Sequence, residues 1–317
     1  MSKRRNKLSD YLAYLGVRLV AMFVHMFDWR VVYAAAGWLG NTWCRLDRRH
    51  RERAAEHVRQ CFPEWDEPRV QRTVQGSFRN LVYLAIEVLL TTRLITRGRW
   101  RRHIELADMR EVFRLLMARR GGMLLITGHF GGWEVSGYTV ATLGFKAYAL
   151  ARPLDNPYLN EYLLGVRQRN GLTILDKGGA MSQMNDLLGR DREIVGFIAD
   201  QDAGKRGVFV DFFGRAASSY RAPALTAMRY NVPVVVGYGR RIGEGYRFRL
   251  GVERVIHPHE WADQDDPVRW ITQEYTAALE RVVRMDPQQY LWIYRRWKTR
   301  PKDETPPAET PAAKGAC

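Results

Sequence analysis

From Gly121 onward the chain alternates short apolar runs with segments of helical spacing, and this alternation constrains the fold most tightly. The runs are residues 123–127, 146–151, 172–175, 194–199, 232–238 and 247–252. Each has the length of a strand rather than of a buried helix. Helical spacing fills 133–143, 157–170, 181–189, 222–230 and 268–285. Strands separated by helix-length segments cross over and run parallel. The expected architecture is therefore α/β, a sandwich with a mainly parallel central sheet over residues 121–298, preceded by a helical membrane-associated segment.

The segment ahead of that core reads differently. Lys3, Arg4, Arg5 and Lys7 precede an apolar stretch over 11–27 that is interrupted by Arg18 and His25, and Asp28-Trp29-Arg30 separates it from a second stretch over 31–46. A cleaved signal peptide fits poorly, because Arg18 breaks the apolar region and charges stand ahead of the small residues Ala34–Ala36. A spanning helix wants about 20 uninterrupted apolar residues, which neither stretch supplies. With Arg45, Arg48, Arg49, Arg51 and Arg53 as a second basic cluster, both flanks favour the same side of a membrane. Residues 1–46 are thus expected to lie in the interface or dip into one leaflet, with a single tilted anchor as the alternative.

Residues 47–120 carry amphipathic helices, with apolar spacing at Val70, Val74, Phe78, Leu81, Val82 and Leu84 and a helix within 104–119. Glu87 falls inside an apolar face, where a paired core carboxylate is expected. The Pro-rich residues 299–317 read as a disordered tail. Fifty Lys and Arg against 34 Asp and Glu give a net charge of +16, which calls for an anionic partner: nucleic acid, an anionic membrane surface or a phosphorylated substrate. Ten tryptophans and fifteen tyrosines favour the membrane. Three scattered cysteines suggest neither disulfides nor a zinc site.

Chemistry is expected where the apolar runs end. Leu124-Leu125-Ile126-Thr127 stops at Gly128-His129-Phe130-Gly131-Gly132-Trp133-Glu134. Imidazole is a base at neutral pH, and a carboxylate five residues on is near enough to fix its tautomer. A packed histidine in a helix-capping loop is the plain alternative. Arg152-Pro153 follows the next run, and the following helix carries Arg167; arginine binds phosphate through two parallel hydrogen bonds. Asp200-Gln201-Asp202 follows the run at 194–199, with an arginine-positioning acid and a hydrogen-bond donor as the expected roles. Strand ends of one parallel sheet open into one crevice, so these rims should converge. The closing run Gln289-Tyr290-Leu291-Trp292-Ile293-Tyr294-Arg295-Arg296-Trp297-Lys298 sets cations among aromatics, which suits lipid head groups or stacked nucleic acid equally. No Gly-x-Ser-x-Gly elbow and no P-loop occurs, and His257-Pro258-His259-Glu260 is too crowded for a metal site.

Taken together, the His129–Glu134 stretch, Arg152-Pro153, Asp200-Gln201-Asp202 and the closing run through Thr299-Arg300-Pro301 resemble the bacterial lipid A biosynthesis acyltransferases, over roughly residues 10–300. They belong to a wider lysophospholipid acyltransferase-like group with a His-x4-Asp/Glu motif. The resemblance implies an enzyme without cofactor or metal, with His129 as general base and Glu134 as its partner. Arg152, Arg167, Asp200, Gln201 and Arg295 are the implied substrate-binding residues. The implied donor is acyl carrier protein or acyl-CoA, and the acceptor a hydroxyl of a phosphorylated membrane glycolipid, with no role for nucleic acid. The implied location is the cytoplasmic face of the inner membrane. A lysophospholipid acceptor, or a non-catalytic basic protein of the membrane surface, are the alternatives.

Overall fold

The computed structural model describes residues 6–118, 122–176, 179–243 and 245–302. Four helices come first: α1 (Lys7–Met26), α2 (Trp29–Leu46), α3 (Arg48–Cys61) and α4 (Glu67–Leu94). Their boundaries follow local chemistry. Asp28, Asp47 and Asp66 accept from the backbone N–H of Arg30, His50 and Arg69 at the starts of α2, α3 and α4, caps worth about 1 kcal/mol each.

The remaining elements alternate: β1 (Ile104–Ala107), α5 (Arg110–Ala118), β2 (Met123–Thr127), α6 (Trp133–Thr142), β3 (Ala147–Ala151), α7 (Pro157–Arg167), β4 (Leu172–Asp176), α8 (Ala180–Met184), β5 (Ile194–Ile198), β6 (Val208–Phe212), β7 (Arg215–Ser219), α9 (Ala222–Tyr230), β8 (Val234–Arg241), β9 (Phe248–Ile256), α10 (Pro258–Trp261) and α11 (Pro267–Met285). Seven strands form one sheet in the order β1-β9-β8-β2-β5-β3-β4. All neighbours are parallel except β8 and β9, which form an antiparallel hairpin with a bulge at Val236/Gly237. The expected mainly parallel α/β sandwich is therefore present.

Three strands were not legible. β1 is a four-residue edge strand inside a stretch read as helical. β6 and β7 make a separate antiparallel hairpin whose turn, Phe213-Gly214, has positive φ at both residues (58° and 69°). Phe213 carries that conformation because its ring is buried against Phe62 and Trp292.

The pleat divides the sheet. Leu124, Ile126, Val195, Phe197, Val234 and Val236 face α8, α9 and α11 in one core. Met123, Ile194 and Val235 face the opposite way, towards α5 and α6. Consecutive buried residues such as Val234-Val235-Val236 follow from a sheet covered on both faces.

The N-terminal helices are not a detached unit. Val58, Val74 and Phe78 share a core with Phe130, Trp292 and Trp297. Glu87 is fully buried and paired with Arg241 and Tyr33. Along α1, Leu8, Leu12, Leu15, Leu19, Met22 and Met26 are exposed at helical spacing, and Val31, Trp38, Leu39 and Leu46 are exposed on α2. Among the described residues no helix is long and apolar enough to cross a membrane. Arg18 is exposed, with its guanidinium over Tyr14 and over Tyr162 of α7. The first residues of the stretch expected as a tail, 299–302, are among the described residues. Thr299 donates to Asp202 and Arg300 to the Ala216 carbonyl, while 303–317 lie outside the described residues.

Candidate active site

His129 follows β2, Asp200 and Gln201 follow β5, and Arg152 follows β3, three adjacent strands of the sheet. His129, Gln201, Arg152, Arg167 and Glu134 all line one cavity of about 500 Å³.

The partner of the imidazole Nδ1 is not Glu134 but Asp200. Nδ1 lies 2.7 Å from Asp200 Oδ1, and the His129 backbone N–H donates to Oδ2 of the same carboxylate at 2.7 Å. Glu134 sits on the first turn of α6, where its two oxygens are taken by the Arg167 fork at 2.9 and 2.5 Å. Glu134 is nearer in sequence, but β5 lies beside β2 and brings a residue 71 positions away to the imidazole. Gly128 makes the approach possible, since a Cβ there would stand 3.1 Å from Asp200 Oδ2.

Asp200 is buried behind the histidine rather than on the cavity wall. It does not position an arginine as expected. Burial pushes its carboxyl up, but the His129 charge, the two His129 bonds and the Arg296 guanidinium outweigh that and hold it below the usual carboxylate range. An ionised Asp200 accepts, so Nδ1 carries the proton and Nε2 is the basic nitrogen. Gln201 Nε2 is 3.4 Å from His129 Nε2, and the Trp133 ring packs edge-on against the imidazole at 5.0 Å.

The closing run holds this loop. Gly131 N–H donates to the Gln289 carbonyl, Gly132 N–H to the Gly239 carbonyl and Leu291 N–H to the His129 carbonyl. At Gly131 φ is +56° and a Cβ would collide with the Gly239 carbonyl, so glycine is required there. Of the two adjacent arginines, Arg295 is exposed and does not line the cavity, contrary to expectation. Arg296 turns inward, donates to the Ser218 carbonyl and Ser219 Oγ, and is only 2% exposed. Two successive tight turns after Leu291 reverse the chain, which no periodicity reveals.

Behind the polar mouth the cavity is apolar. One sheet face supplies Met123, Leu125, Ile194, Gly196, Val235 and Gly237, alternate residues as the pleat requires. Helix α6 supplies Trp133, Gly137 and Val140 at helical spacing with its cap residue Leu143, and α5 closes the far side with Val112, Phe113 and Leu116. Glycines at 137, 196 and 237 leave the space that larger side chains would fill. The distance from Thr127 at the mouth back to Met123 is about 13 Å at ~3.3 Å per residue.

Arg152, by contrast, is exposed at the rim, bonded to Asp155 at 3.2 Å. His257 and Glu260 form a helix cap, with Glu111 and Arg254 as their partners.

A histidine paired with a buried carboxylate, at the mouth of an apolar cavity, is the arrangement expected of an O-acyltransferase site. The chain belongs to the bacterial lipid A biosynthesis acyltransferase family, whose model matches residues 1–299. It is 25% identical over 298 residues to the lipid A biosynthesis lauroyltransferase of Escherichia coli K12, covering 92% of this chain and 93% of that protein. It is 24% identical to the lipid A biosynthesis palmitoleoyltransferase of the same strain, covering 81% and 82%. A lipid A biosynthesis acyltransferase of Haemophilus influenzae is 24% identical over 85% of this chain and 84% of its own length.

Proposed function

We propose that this protein transfers a fatty acyl chain from an acyl thioester, carried by acyl carrier protein or CoA, to a hydroxyl of a phosphorylated lipid A precursor. The observation that carries the proposal is the apolar cavity ending at His129. The acyl chain lies between the sheet and α6 with its thioester carbonyl at the mouth. His129 Nε2 takes the acceptor hydroxyl proton as oxygen attacks that carbonyl, and Asp200 stabilises the imidazolium. Collapse of the tetrahedral intermediate breaks the C–S bond, and the imidazolium returns the proton to the departing thiolate. Glu134 acts by holding Arg167, whose guanidinium faces the carbonyl oxygen as negative charge develops. Arg152, at the rim, meets the acceptor phosphate.

On this reading the reaction runs at the cytoplasmic face of the inner membrane. The exposed apolar stripes of α1 and α2 support an interfacial seat. A net charge of +16 also attracts an acidic carrier protein and a phosphorylated acceptor. The test is acyl transfer by purified protein from each thioester donor to lipid A precursor or lysophospholipid, read by mass spectrometry. Acylated precursor is expected, and loss of turnover with His129→Ala. Turnover unchanged in His129→Ala, or product on the phospholipid alone, overturns the assignment.

A further inference from the structure

A second cavity, of about 760 Å³, lies on the opposite side of the loop that carries His129 and shares no lining residue with the acyl cavity. Its walls come from α2, α4, the β8–β9 hairpin and the segment ahead of the closing run. Gln289 is the partition. Its backbone carbonyl accepts from Gly131 on the catalytic side, while its side chain accepts from Arg241 N–H and donates to the Arg241 carbonyl and Asp286.

The chemistry of this cavity is cationic and aromatic. Elsewhere in the fold Arg167 meets Glu134, Arg254 meets Glu260 and Arg281 meets Glu253. Arg30 and Arg79 do not. Among the described residues Arg30 lies over the Trp29 ring, and Arg79 makes a single long bond of 3.4 Å to Gln288. Arg241, 8% exposed, forms the inner wall. Its Nε donates to Glu87 and its Nη1 to Asn80, and Nη2 stands 2.5 Å from Glu87 Oε1. Glu87 neutralises Arg241 from behind, and Asp286 is the carboxylate on the cavity wall. Two unpaired cations against one carboxylate leave a net positive pocket, with Trp29, Tyr33 and Tyr83 among its walls.

Its place in the fold identifies the source of the anion. Trp29, Arg30 and Ala34 belong to the helix whose outer residues Val31, Trp38 and Leu39 are exposed apolar groups. A head group in this pocket would have its lipid tails beside those side chains. We propose that the cavity binds the phosphate-and-hydroxyl head group of a membrane lipid, separately from the acyl cavity, with Arg30 and Arg79 on the phosphate. The proposal rests on the interfacial seat of α1 and α2 given above, not on the catalytic assignment.

The test is flotation of the full-length protein with phosphatidylcholine vesicles with and without phosphatidic acid, and ³¹P line broadening of free glycerol 3-phosphate. Three variants are compared with wild type. Arg30→Gln/Arg79→Gln removes two charges from the cavity, and Arg48→Gln/Arg49→Gln removes two from outside it. Ala34→Trp fills the cavity from its exposed side without changing charge. Phosphatidic acid is expected to raise wild-type partitioning at least tenfold. That gain should vanish in the cavity double variant and in Ala34→Trp, and persist in Arg48→Gln/Arg49→Gln and in His129→Ala. Equal losses in the two double variants would reduce the effect to diffuse electrostatics and overturn the site. Broadening of glycerol 3-phosphate without any gain on phosphatidic acid vesicles would make the ligand a free phosphate and overturn the lipid. Failure of wild type to float with any vesicle would overturn the interfacial seat while leaving the catalytic assignment standing.

Discussion

Replacing Asp200 with Asn probes the centre of the mechanism with almost no change in shape. In the native site one carboxylate accepts two hydrogen bonds, from the His129 backbone N–H and from Nδ1–H, each at 2.7 Å. An amide has one acceptor oxygen. If it serves the backbone N–H, the amide NH₂ faces Nδ1, and the imidazole proton moves to Nε2, the nitrogen that must be basic. The variant also removes a charge about 4 Å from the centre of the imidazolium that forms on catalysis. At an effective dielectric of about 20 that interaction is worth about 4 kcal/mol. At about 1.36 kcal/mol per tenfold, kcat is expected to fall roughly 10³-fold. KM for the acyl donor should change little, because Asp200 does not line the acyl cavity. Steady-state acyl transfer with a thioester donor measures this, and circular dichroism checks that the variant is folded. A kcat within tenfold of wild type in a folded protein refutes Asp200 as the partner of the base. Should Glu134→Gln give the full loss and Asp200→Asn none, the original pairing of His129 with Glu134 would be restored.

Three further outcomes are expected. Gly137→Leu narrows the acyl cavity halfway along α6, where a Cβ would meet only Leu172 at 3.5 Å. Helix propensity improves by about 0.8–1 kcal/mol at the same time, so the protein should stay folded and shift its kcat/KM ranking towards shorter acyl donors. An unchanged ranking would mean the chain lies elsewhere. Glu87→Gln leaves Arg241 buried without its counter-charge and should cost about 3–5 kcal/mol in urea unfolding; a loss under 1 kcal/mol would show that the pair is solvated. The lowered carboxyl of Asp200 predicts the sign of a pH effect, because an unfolded aspartate titrates near pH ~3.9 and the native one lower. Its contribution is complete above the unfolded value and drains away as pH falls through the native value. As pH falls below about 4 the stability difference between wild type and Asp200→Asn should therefore change in favour of the variant; a change in the opposite direction contradicts an ionised native Asp200.

The sequence by itself determined the elements and the rim. Period-2 and unbroken apolar runs are set by burial of sheet faces, so β2, β3, β4, β5, β8 and β9 could be read directly. Strand ends of a parallel sheet carry the polar residues, so His129, Arg152 and Gln201 could be expected in one crevice, where they lie. Strands β1, β6 and β7 could not: β1 is four residues at the sheet edge, and β6 and β7 pair only with each other, where the buried Val210, Phe212 and Ala217 are interleaved with charged and small polar residues.

Only the tertiary structure decided who touches whom. Which acid holds His129 depends on β5 lying next to β2, a long-range order that the separation of 71 residues does not encode locally. The same order frees Glu134 to fork with Arg167 across α6 and α7. Whether Arg295 or Arg296 turns inward is fixed by two reversals of the closing run against Ser218 and Ser219. The acyl cavity is likewise invisible in any one segment. It exists because Gly137, Gly196 and Gly237, dispersed along the chain, face one another across the space between a helix and a sheet, and an empty volume depends on what surrounds it from every side.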